Sequence, residues 1–164
     1  MAETFDAIIL GGGAAGLFCA AIAGQRGRRV LVLEKAERVG AKILISGGGR
    51  CNFTNLGAGP GNYLSANPHF CKSALARYKP ADFINLVEQH GIQYHEKELG
   101  QLFCDESSKL ILRMLLDECR DANVAIETDC TISAVQPRNG VFEVITTRGV
   151  YSAPSIVEIG RAHV

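Results

Sequence analysis

The amino-acid sequence predicts an α/β fold in which a parallel, doubly wound sheet is interrupted by a helical segment and an antiparallel β-meander. Two observations support this prediction. Near the start of the chain, an apolar run, a glycine turn and a helical pattern precede a second apolar run, which is the order of a βαβ unit. The last third of the chain instead contains short apolar segments separated by turn residues, as antiparallel strands do.

The first βαβ unit is predicted from three consecutive patterns. Residues 4–10 form a β-type run that breaks at Gly11, and the pattern is helical over residues 14–25. Gly27 ends this helix. Residues 29–33 then read Arg-Val-Leu-Val-Leu, and such a continuous apolar run is typical of a parallel strand that is buried on both faces.

The middle of the chain is predicted to be a long loop followed by helices. Residues 36–66 show no steady period and many glycines, so we expect a loop, and loops of that length are usually functional. The helices that follow this loop are each predicted to begin at a proline or a serine. The predicted elements are helices over residues 67–77 and 80–90, a strand over 92–95, and a helix from Ser107 or Ser108 to about Ala122.

The last third of the chain is predicted to be strands. We interpret them as short antiparallel elements, the middle two joined by a loop that contains Asn139-Gly140. The predicted strands cover residues 124–128, 132–136, 141–146 and 150–153. A further apolar run begins at Ser155, where a doubly wound sheet is expected to continue.

The composition excludes several classes of protein. Among 164 residues, 17 Lys and Arg balance 17 Asp and Glu, so we expect no nucleic-acid partner, because such proteins usually carry a basic surplus. The six cysteines contain no C-x-x-C pair, so neither a metal site nor a disulfide framework is indicated. The longest apolar stretch, residues 14–23, is too short to span a membrane, and we expect a cytoplasmic protein without membrane contact.

The glycine turn matches the G-x-G-x-x-G fingerprint of dinucleotide-binding domains, in the strand–turn–helix context that the fingerprint requires. Gly11 permits the tight turn, Gly13 lets the backbone approach a pyrophosphate, and Gly16 lets helix and strand pack closely. Free backbone N–H groups and the helix dipole then favour phosphates at the helix start. The alternative is a purely structural glycine turn.

Glu34 ends the second strand, eighteen residues after Gly16. At this position a carboxylate accepts hydrogen bonds from ribose hydroxyls and disfavours a 2′-phosphate. The sequence therefore predicts a site for FAD or NAD rather than NADP, although the charge of Lys35 beside it weakens that exclusion.

A second glycine-rich segment, residues 42–55, reads KILISGGGRCNFTN. Successive glycines can form a nest of backbone N–H groups that binds an anion. Lys42 and Arg50 offer positive charge to phosphates, and Ser46 and Asn52 offer hydrogen bonds to a ribityl chain or a ring edge. The alternative is a flexible surface loop, and spacing alone does not decide between the two.

The strings FDAIILGGGAAGL, VLVLEKAERVGAKILISGGGRCNFTN and NPHF resemble the bacterial YhiN/BaiN-like flavoproteins, commonly called NAD(P)/FAD-dependent oxidoreductases. The resemblance spans about residues 4–157, and the SGGGRCNFTN string is more specific than the glycine fingerprint. It implies a Rossmann-like FAD-binding domain, with FAD as cofactor and NAD(P)H as a candidate electron donor. Cys104 departs from a proline that is often found in this family.

The resemblance also implies which residues contact FAD. It places the pyrophosphate on the first glycine loop, the adenosine ribose at Glu34, the rest of the flavin at the second loop and adenine near the backbone of Ile132. The candidate cofactor site consists of Gly11, Gly12, Gly13, Ala14, Ala15, Gly16, Glu34, Lys35, Lys42, Ser46, Gly47, Gly48, Arg50, Cys51, Asn52 and Ile132.

Three other catalytic motifs are each excluded because one required residue is absent. A flavin disulfide reductase carries a C-x4-C pair, but Leu56 follows Cys51 at that spacing, so we expect Cys51 to line the site rather than to be redox-active. His95-Glu96 begins like a zinc-protease H-E-x-x-H motif, but Leu99 stands in place of the second histidine. Leu17 stands where a P-loop requires lysine.

These features predict the N-terminal part of an FAD-dependent oxidoreductase that transfers hydride through flavin N5 in its full-length form, with a small-molecule substrate. We expect the chain alone to be inactive. No catalytic acid or base is assigned, and the oligomeric state stays open. Two alternatives are a catalytically inert nucleotide-binding module and an NAD-binding dehydrogenase.

The end of the chain departs from the family pattern, which continues after Val157 into an Ala-Thr-Gly-Gly turn. Here residues 158–164 read EIGRAHV, which the codons GAG ATC GGA AGA GCA CAC GTC of a common sequencing adapter encode. We therefore expect residues 1–157 to be the N-terminal part of an FAD/NAD(P)-binding domain that is truncated at its C-terminus. Residues 158–164 are expected to be an artefactual tail without function.

Overall fold

The structure is a computed structural model that describes residues 2–160. Part of the expected artefactual tail, residues 161–164, lies outside the described residues. The α-helices are α1 (Ala14–Gln25), α2 (Ala41–Ile45), α3 (Lys72–Arg77), α4 (Pro80–Gln89) and α5 (Ser108–Asp121). The strands are β1 (Glu3–Thr4), β2 (Ala7–Leu10), β3 (Val30–Leu33), β4 (Asn52–Asn55), β5 (Tyr94–Glu96), β6 (Gln101–Cys104), β7 (Ala125–Glu127), β8 (Ile132–Arg138), β9 (Val141–Thr146), β10 (Gly149–Ala153) and β11 (Ser155–Glu158).

The chain divides into two compact units. The first unit contains the described residues up to Lys42 and those from Leu115 onward, and the second unit is Ile43–Met114. Within residues 2–160, no helix has both the length and the apolar character needed to cross a membrane.

A parallel sheet in the order β11-β2-β3-β7 forms one layer of the first unit. All four residues of β3 are buried, as expected for a central parallel strand. Helix α1 links β2 to β3 and packs on both strands. Its buried residues include Gly16, Ala20 and Ala21, and such small side chains allow the helix to approach the sheet closely. The predicted βαβ unit is thereby confirmed.

A second sheet of the first unit has the order β1-β10-β9-β8 and contains the predicted antiparallel meander. Its inner residues share a core with the parallel sheet. This core consists of Phe5, Ile8, Leu31, Leu33, Cys130, Val144, Tyr151 and Ala153. The fold is therefore Rossmann-like, with mixed sheets.

The second unit contains a three-stranded antiparallel sheet in the order β4-β6-β5, together with α3, α4 and the start of α5. The prediction that Ser107 or Ser108 caps α5 is confirmed, since the Ser107 hydroxyl accepts a hydrogen bond of 3.2 Å from the N–H of Lys109. Ser108 is buried and donates to the carbonyl of Leu44 at 2.9 Å.

The predicted strand over residues 4–10 is wrong in its extent. It is two strands in different sheets, because Asp6 bends the chain between β1 and β2. The carboxylate of Asp6 accepts a hydrogen bond of 2.7 Å from the N–H of Arg29, and the N–H of Asp6 donates to the carbonyl of the same residue at 2.8 Å. The bend therefore has its own hydrogen bonds.

Three further predictions of secondary structure are corrected. Residues 36–66 are not one loop, since they contain α2 and β4. The predicted helix over residues 67–77 begins only at Lys72, because the Asn67 side chain accepts a hydrogen bond of 3.0 Å from the N–H of His69 and forms a turn instead. Strand β7 is parallel to β3 rather than antiparallel, and β6 was not predicted at all.

Candidate functional site

The first glycine turn lies in direct contact with the start of α1. Gly11 leaves β2 with a φ of 109°, which favours glycine, and its N–H donates to the carbonyl of Leu33 at 2.8 Å. A Cβ on Gly16 would lie 2.0 Å from the carbonyl oxygen of Gly11. Only glycine fits at position 16, because any side chain there would collide with this carbonyl oxygen. The absence of a side chain lets the turn and the helix lie in direct contact.

The space in front of α1 is open. Gly13 is the N-cap residue, and a Cβ there would have no neighbour within 4 Å. Gly13, Ala14 and Ala15 are exposed, and within residues 2–160 no side chain caps the helix by a hydrogen bond. The first N–H groups and the positive end of the helix dipole are therefore available to an anion.

Glu34 joins the glycine turn to the end of β3. One carboxylate oxygen accepts a hydrogen bond of 2.8 Å from the N–H of Gly12, and the other accepts one of 2.9 Å from the N–H of Ala36. Each carboxylate oxygen has a further lone pair with which it can accept a hydrogen bond from a hydroxyl. The side chain thus fixes the turn and keeps acceptor capacity for a ribose.

Val39 and Gly40 complete this turn, and the sequence analysis missed both. The N–H of Gly40 donates to the carbonyl of Gly12 at 2.8 Å, and a Cβ on Gly12 would lie 2.5 Å from a methyl group of Val39. The sequence gives little indication of this contact, because Val39 and Gly40 lie in a segment without a helical or strand period. Gly12 therefore packs directly against Val39, where a side chain would have no room unless Val39 moved.

Three further candidate residues, Lys35, Lys42 and Ile132, belong to the first unit. Lys35 and Lys42 are exposed, the latter in α2. Ile132 begins β8, and its half-buried side chain packs against the core described above. A contact of its backbone with adenine stays a prediction.

The second glycine loop is a tight turn with left-handed backbone conformation. Within residues Ser46–Gly49, Gly47 and Gly48 have φ values of 56° and 66°, which favour glycine. A Cβ on Gly47 would lie 2.6 Å from the ring of Phe103 on β6. The loop thus packs directly on a sheet of the second unit, while Gly47, Gly48 and Arg50 stay exposed.

Cys51 and Asn52 follow this loop. Burial raises the pKa of the Cys51 thiol, and a hydrogen bond with Ser46 lowers it in part. Such a thiol is protonated near neutral pH and is a poor nucleophile. Cys104 lies across the sheet from Cys51, since its N–H donates to the carbonyl of Arg50 at 2.9 Å, and burial and the charge of Cys51 raise its pKa to about 11.

His95 forms a hydrogen bond with Asp105 that no sequence motif predicts. Its Nδ1 lies 2.7 Å from a carboxylate oxygen of Asp105, and both side chains are nearly half exposed. Its ring stacks on Phe103 with a centroid distance of 6.3 Å. No spacing rule could have found this pair, because the register of β5 and β6 brings it together.

The structure therefore groups the candidate residues by unit. In the first unit the glycine turn, Glu34 and the start of α1 form one open anion-accepting site, and in the second unit Ser46–Asn52 form a glycine loop beside Phe103. A parallel sheet with a glycine turn at the start of its first helix and an acid at the end of the next strand defines a dinucleotide-binding Rossmann domain.

The chain belongs to the family described as HI0933-like protein Rossmann domain, whose sequence model matches residues 5–161. It is 61% identical to the ribosomal RNA dihydrouridine synthase of Escherichia coli over 133 residues, which are 81% of this chain and 33% of that protein. It is 30% identical to a 3-dehydro-bile acid delta(4,6)-reductase of Clostridium scindens over 132 residues, or 78% of this chain and 32% of the relative. The chain spans about a third of these relatives.

The same fold occurs in solved structures of distant sequence. Glycine oxidase from Geobacillus kaustophilus superposes with a TM-score of 0.63 at 17% identity, over 94% of this chain and 54% of that one. The Rossmann-like fold that the sequence predicts is thereby confirmed.

Proposed function

We propose that this chain is the FAD-binding segment of a longer flavin-dependent reductase. The observation that carries the proposal is the open start of α1, where Gly13 leaves room for a pyrophosphate and no described side chain satisfies the N–H groups. Phosphates are the ligands that such helix starts bind in Rossmann domains. Membership of the family supports this assignment.

The residues present fit FAD. Glu34 would accept hydrogen bonds from the adenosine ribose while it holds Gly12, and the N–H groups of Gly13–Gly16 would bind the pyrophosphate. In the second unit, the left-handed turn at Gly47 and Gly48, with exposed Arg50 beside it, offers backbone N–H groups and a positive charge to a polar or anionic ligand. When bound, FAD supplies hydride chemistry at N5. The protein's part is to orient the cofactor and substrate.

The names of the relatives point to one reaction class. Dihydrouridine is uridine in which one carbon–carbon double bond has been reduced, and a delta(4,6)-reductase reduces carbon–carbon double bonds. We therefore propose that the longer protein reduces an activated carbon–carbon double bond with electrons from NAD(P)H. A uridine of ribosomal RNA is the first candidate substrate because of the 61% identity.

This proposal is compatible with the neutral charge of the chain. Its 17 basic and 17 acidic residues give no net electrostatic attraction for RNA, so we place the RNA-contacting surface in another part of the longer protein. We also propose that the protein acts in the cytoplasm.

The test uses the full-length protein, purified without added cofactor. We expect a yellow protein with flavin absorbance near ~450 nm, anaerobic bleaching by NADH or NADPH, and reoxidation by ribosomal RNA from cells that lack the gene. Dihydrouridine in that RNA is then measured by mass spectrometry. A colourless protein that binds NAD would support a dehydrogenase instead, and bound FAD that neither nicotinamide reduces would support an inert binding module.

A variant of Glu34 tests the site itself. Glu34→Gln keeps the shape but replaces one acceptor oxygen by an NH₂ group, which donates and cannot accept, so the N–H of Gly12, the N–H of Ala36 and the ribose hydroxyls must compete for the one remaining acceptor oxygen. We expect FAD affinity to fall about tenfold, which corresponds to the loss of one charge-assisted hydrogen bond. Glu37→Gln, the same exchange at an exposed position outside the candidate site, should change it less than twofold. Equal affinities in both variants would contradict the assignment of Glu34.

A further inference from the structure

One face of the β4-β6-β5 sheet carries a row of three residues that connects the candidate flavin loop with His95. Asn52 on β4 lies opposite Phe103 on β6, and Phe103 lies opposite His95 on β5. Residues that oppose each other in antiparallel strands present their side chains on the same face, and neighbouring strands are about 4.8 Å apart. His95 is thus about two strand spacings from Asn52.

Two further contacts fix this row. The ring of Phe103 stacks on His95 on one side and touches the Gly47 backbone, where a Cβ would lie only 2.6 Å from it. The ammonium of Lys97 lies 5.3 Å from the centre of the same ring. A single buried aromatic side chain therefore separates the glycine loop from the His95 imidazole.

We propose that His95 is the acid that protonates the substrate in the reaction of the longer protein, and that Asp105 is its positioning residue. The proposal rests on the proposed function, because reduction of a carbon–carbon double bond needs a proton as well as a hydride. The side chain is 43% exposed, so a substrate can reach it. Histidine is also the side chain best suited to proton transfer near neutral pH.

The hydrogen bond with Asp105 determines which proton leaves. The carboxylate, 2.7 Å away, holds the proton on Nδ1, so the imidazolium gives up the proton on Nε2. In the balanced step, one carbon of the double bond would receive the hydride that bound, reduced flavin supplies, and the flavin would be oxidised. The Nε2 proton adds to the other carbon, both carbons become saturated, and the neutral imidazole regains a proton from water.

Two weak acids near His95 fit the role less well. The thiol of Cys51 is buried, and burial raises its pKa. Tyr94 is adjacent to His95 on β5 and therefore lies on the opposite face of the sheet. Its hydroxyl donates to the Glu88 carboxylate at 2.7 Å, and that hydrogen bond raises its pKa.

The kinetic test separates reduction of the flavin from its reoxidation in the full-length protein. NADPH reduces the flavin anaerobically, and stopped flow then follows its reoxidation by unmodified ribosomal RNA transcript. For His95→Gln we expect reduction within twofold of wild type, RNA affinity within about threefold and reoxidation slowed about 10²–10⁴-fold. Asp105→Asn should slow reoxidation about tenfold, and the matched control His69→Gln should not change it. Added imidazole should restore part of the rate to His95→Ala.

A second measurement does not depend on turnover. The ¹⁵N chemical shifts of the His95 imidazole, measured in the oxidised protein without substrate, report which nitrogen carries the proton. We expect Nδ1–H in wild type and a shift towards Nε2–H in Asp105→Asn. Flavin content and circular dichroism show that each variant is folded.

Three results would overturn the inference. One is a wild-type rate of reoxidation in His95→Gln, another is failure of imidazole to accelerate His95→Ala, and the third is an unchanged tautomer in Asp105→Asn. Failure of the proposed function is distinguishable, since wild-type protein would then lack FAD or its reduced FAD would not react with RNA. In that case the assignment of His95 as acid fails with it.

Discussion

Gly13 and Gly16 lie one helical turn apart and are required for different reasons. Position 16 has no room, since a Cβ would lie 2.0 Å from a backbone oxygen, whereas position 13 faces open space. Sequence alone assigns both to the same fingerprint. The structure separates them into a glycine needed for packing and a glycine that leaves space for a ligand.

Gly13→Ser should reduce FAD affinity without destabilising the fold. The backbone of Gly13 has a φ of −80° and a ψ of −178°, which is the extended conformation of an N-cap residue, and serine is among the preferred N-caps. Its hydroxyl would bind the N–H groups that we assign to the pyrophosphate. We expect a free energy of unfolding equal to or a few tenths of a kcal/mol above wild type, and FAD affinity reduced at least ~tenfold. Urea unfolding and flavin titration measure the two.

Gly16→Ala is the matched control, because its main effect should be to lower the free energy of unfolding. The neighbouring atom is a carbonyl oxygen of the backbone, so the added methyl group can be accommodated only by moving α1 or the turn. We expect a loss of about 3 kcal/mol in the free energy of unfolding. A Gly16→Ala protein as stable as Gly13→Ser would show that the close contact at position 16 is not required.

Which of these residues the sequence could predict depends on how local their contacts are. Gly11, Gly13 and Gly16 follow from a motif of six positions, and Glu34 follows from the length of one βαβ unit. The packing of Phe103 against Gly47 and the pairing of His95 with Asp105 depend on a strand register, which no local pattern specifies.

The same reasoning applies to the elements. Helix α1 and strand β3 were predicted nearly to the residue, since their apolar patterns are long and continuous. Strand β4 is four polar or half-buried residues that pair with β6, almost fifty positions further along the chain, so its own sequence gives little sign of it. Strand β7 has three residues, and only its partner β3 decides that it is parallel.

At the scale of the elements, the contact between α5 and α1 contains a buried thiol. This thiol should make the protein less stable at alkaline pH. Cys119 on α5 is fully buried, and its thiol donates to the Leu17 carbonyl on α1 at 3.3 Å. Burial raises its pKa from 9.0 to about 11. Between these values the unfolded chain has lost a proton that the folded protein keeps, so stability falls as pH rises from about 9 to 11.

Cys119→Ala should therefore reduce this alkaline loss by about 1 kcal/mol at pH 10, as a shift of two pKa units implies there. Urea unfolding at pH 7 and pH 10 gives the difference for each protein. Met114→Leu, at another buried position of α5, removes no titrating group and should keep the wild-type decline. If the stability of Cys119→Ala falls between pH 7 and pH 10 by as much as that of wild type, Cys119 contributes nothing to the pH dependence.

For the whole molecule, charge balance leads to a prediction about RNA. The chain carries a formal net charge of zero, so it has no basic surplus with which to release counterions from many phosphates, as nucleic-acid-binding proteins do. We expect the isolated chain to bind ribosomal RNA transcript more weakly than about 10 μM at 100 mM salt, and the longer protein to bind it measurably. Filter binding at several salt concentrations compares the two. Tight binding by this chain alone, with a steep salt dependence, would mean that its surface contacts RNA directly and that the division proposed between flavin-binding and RNA-binding parts is wrong.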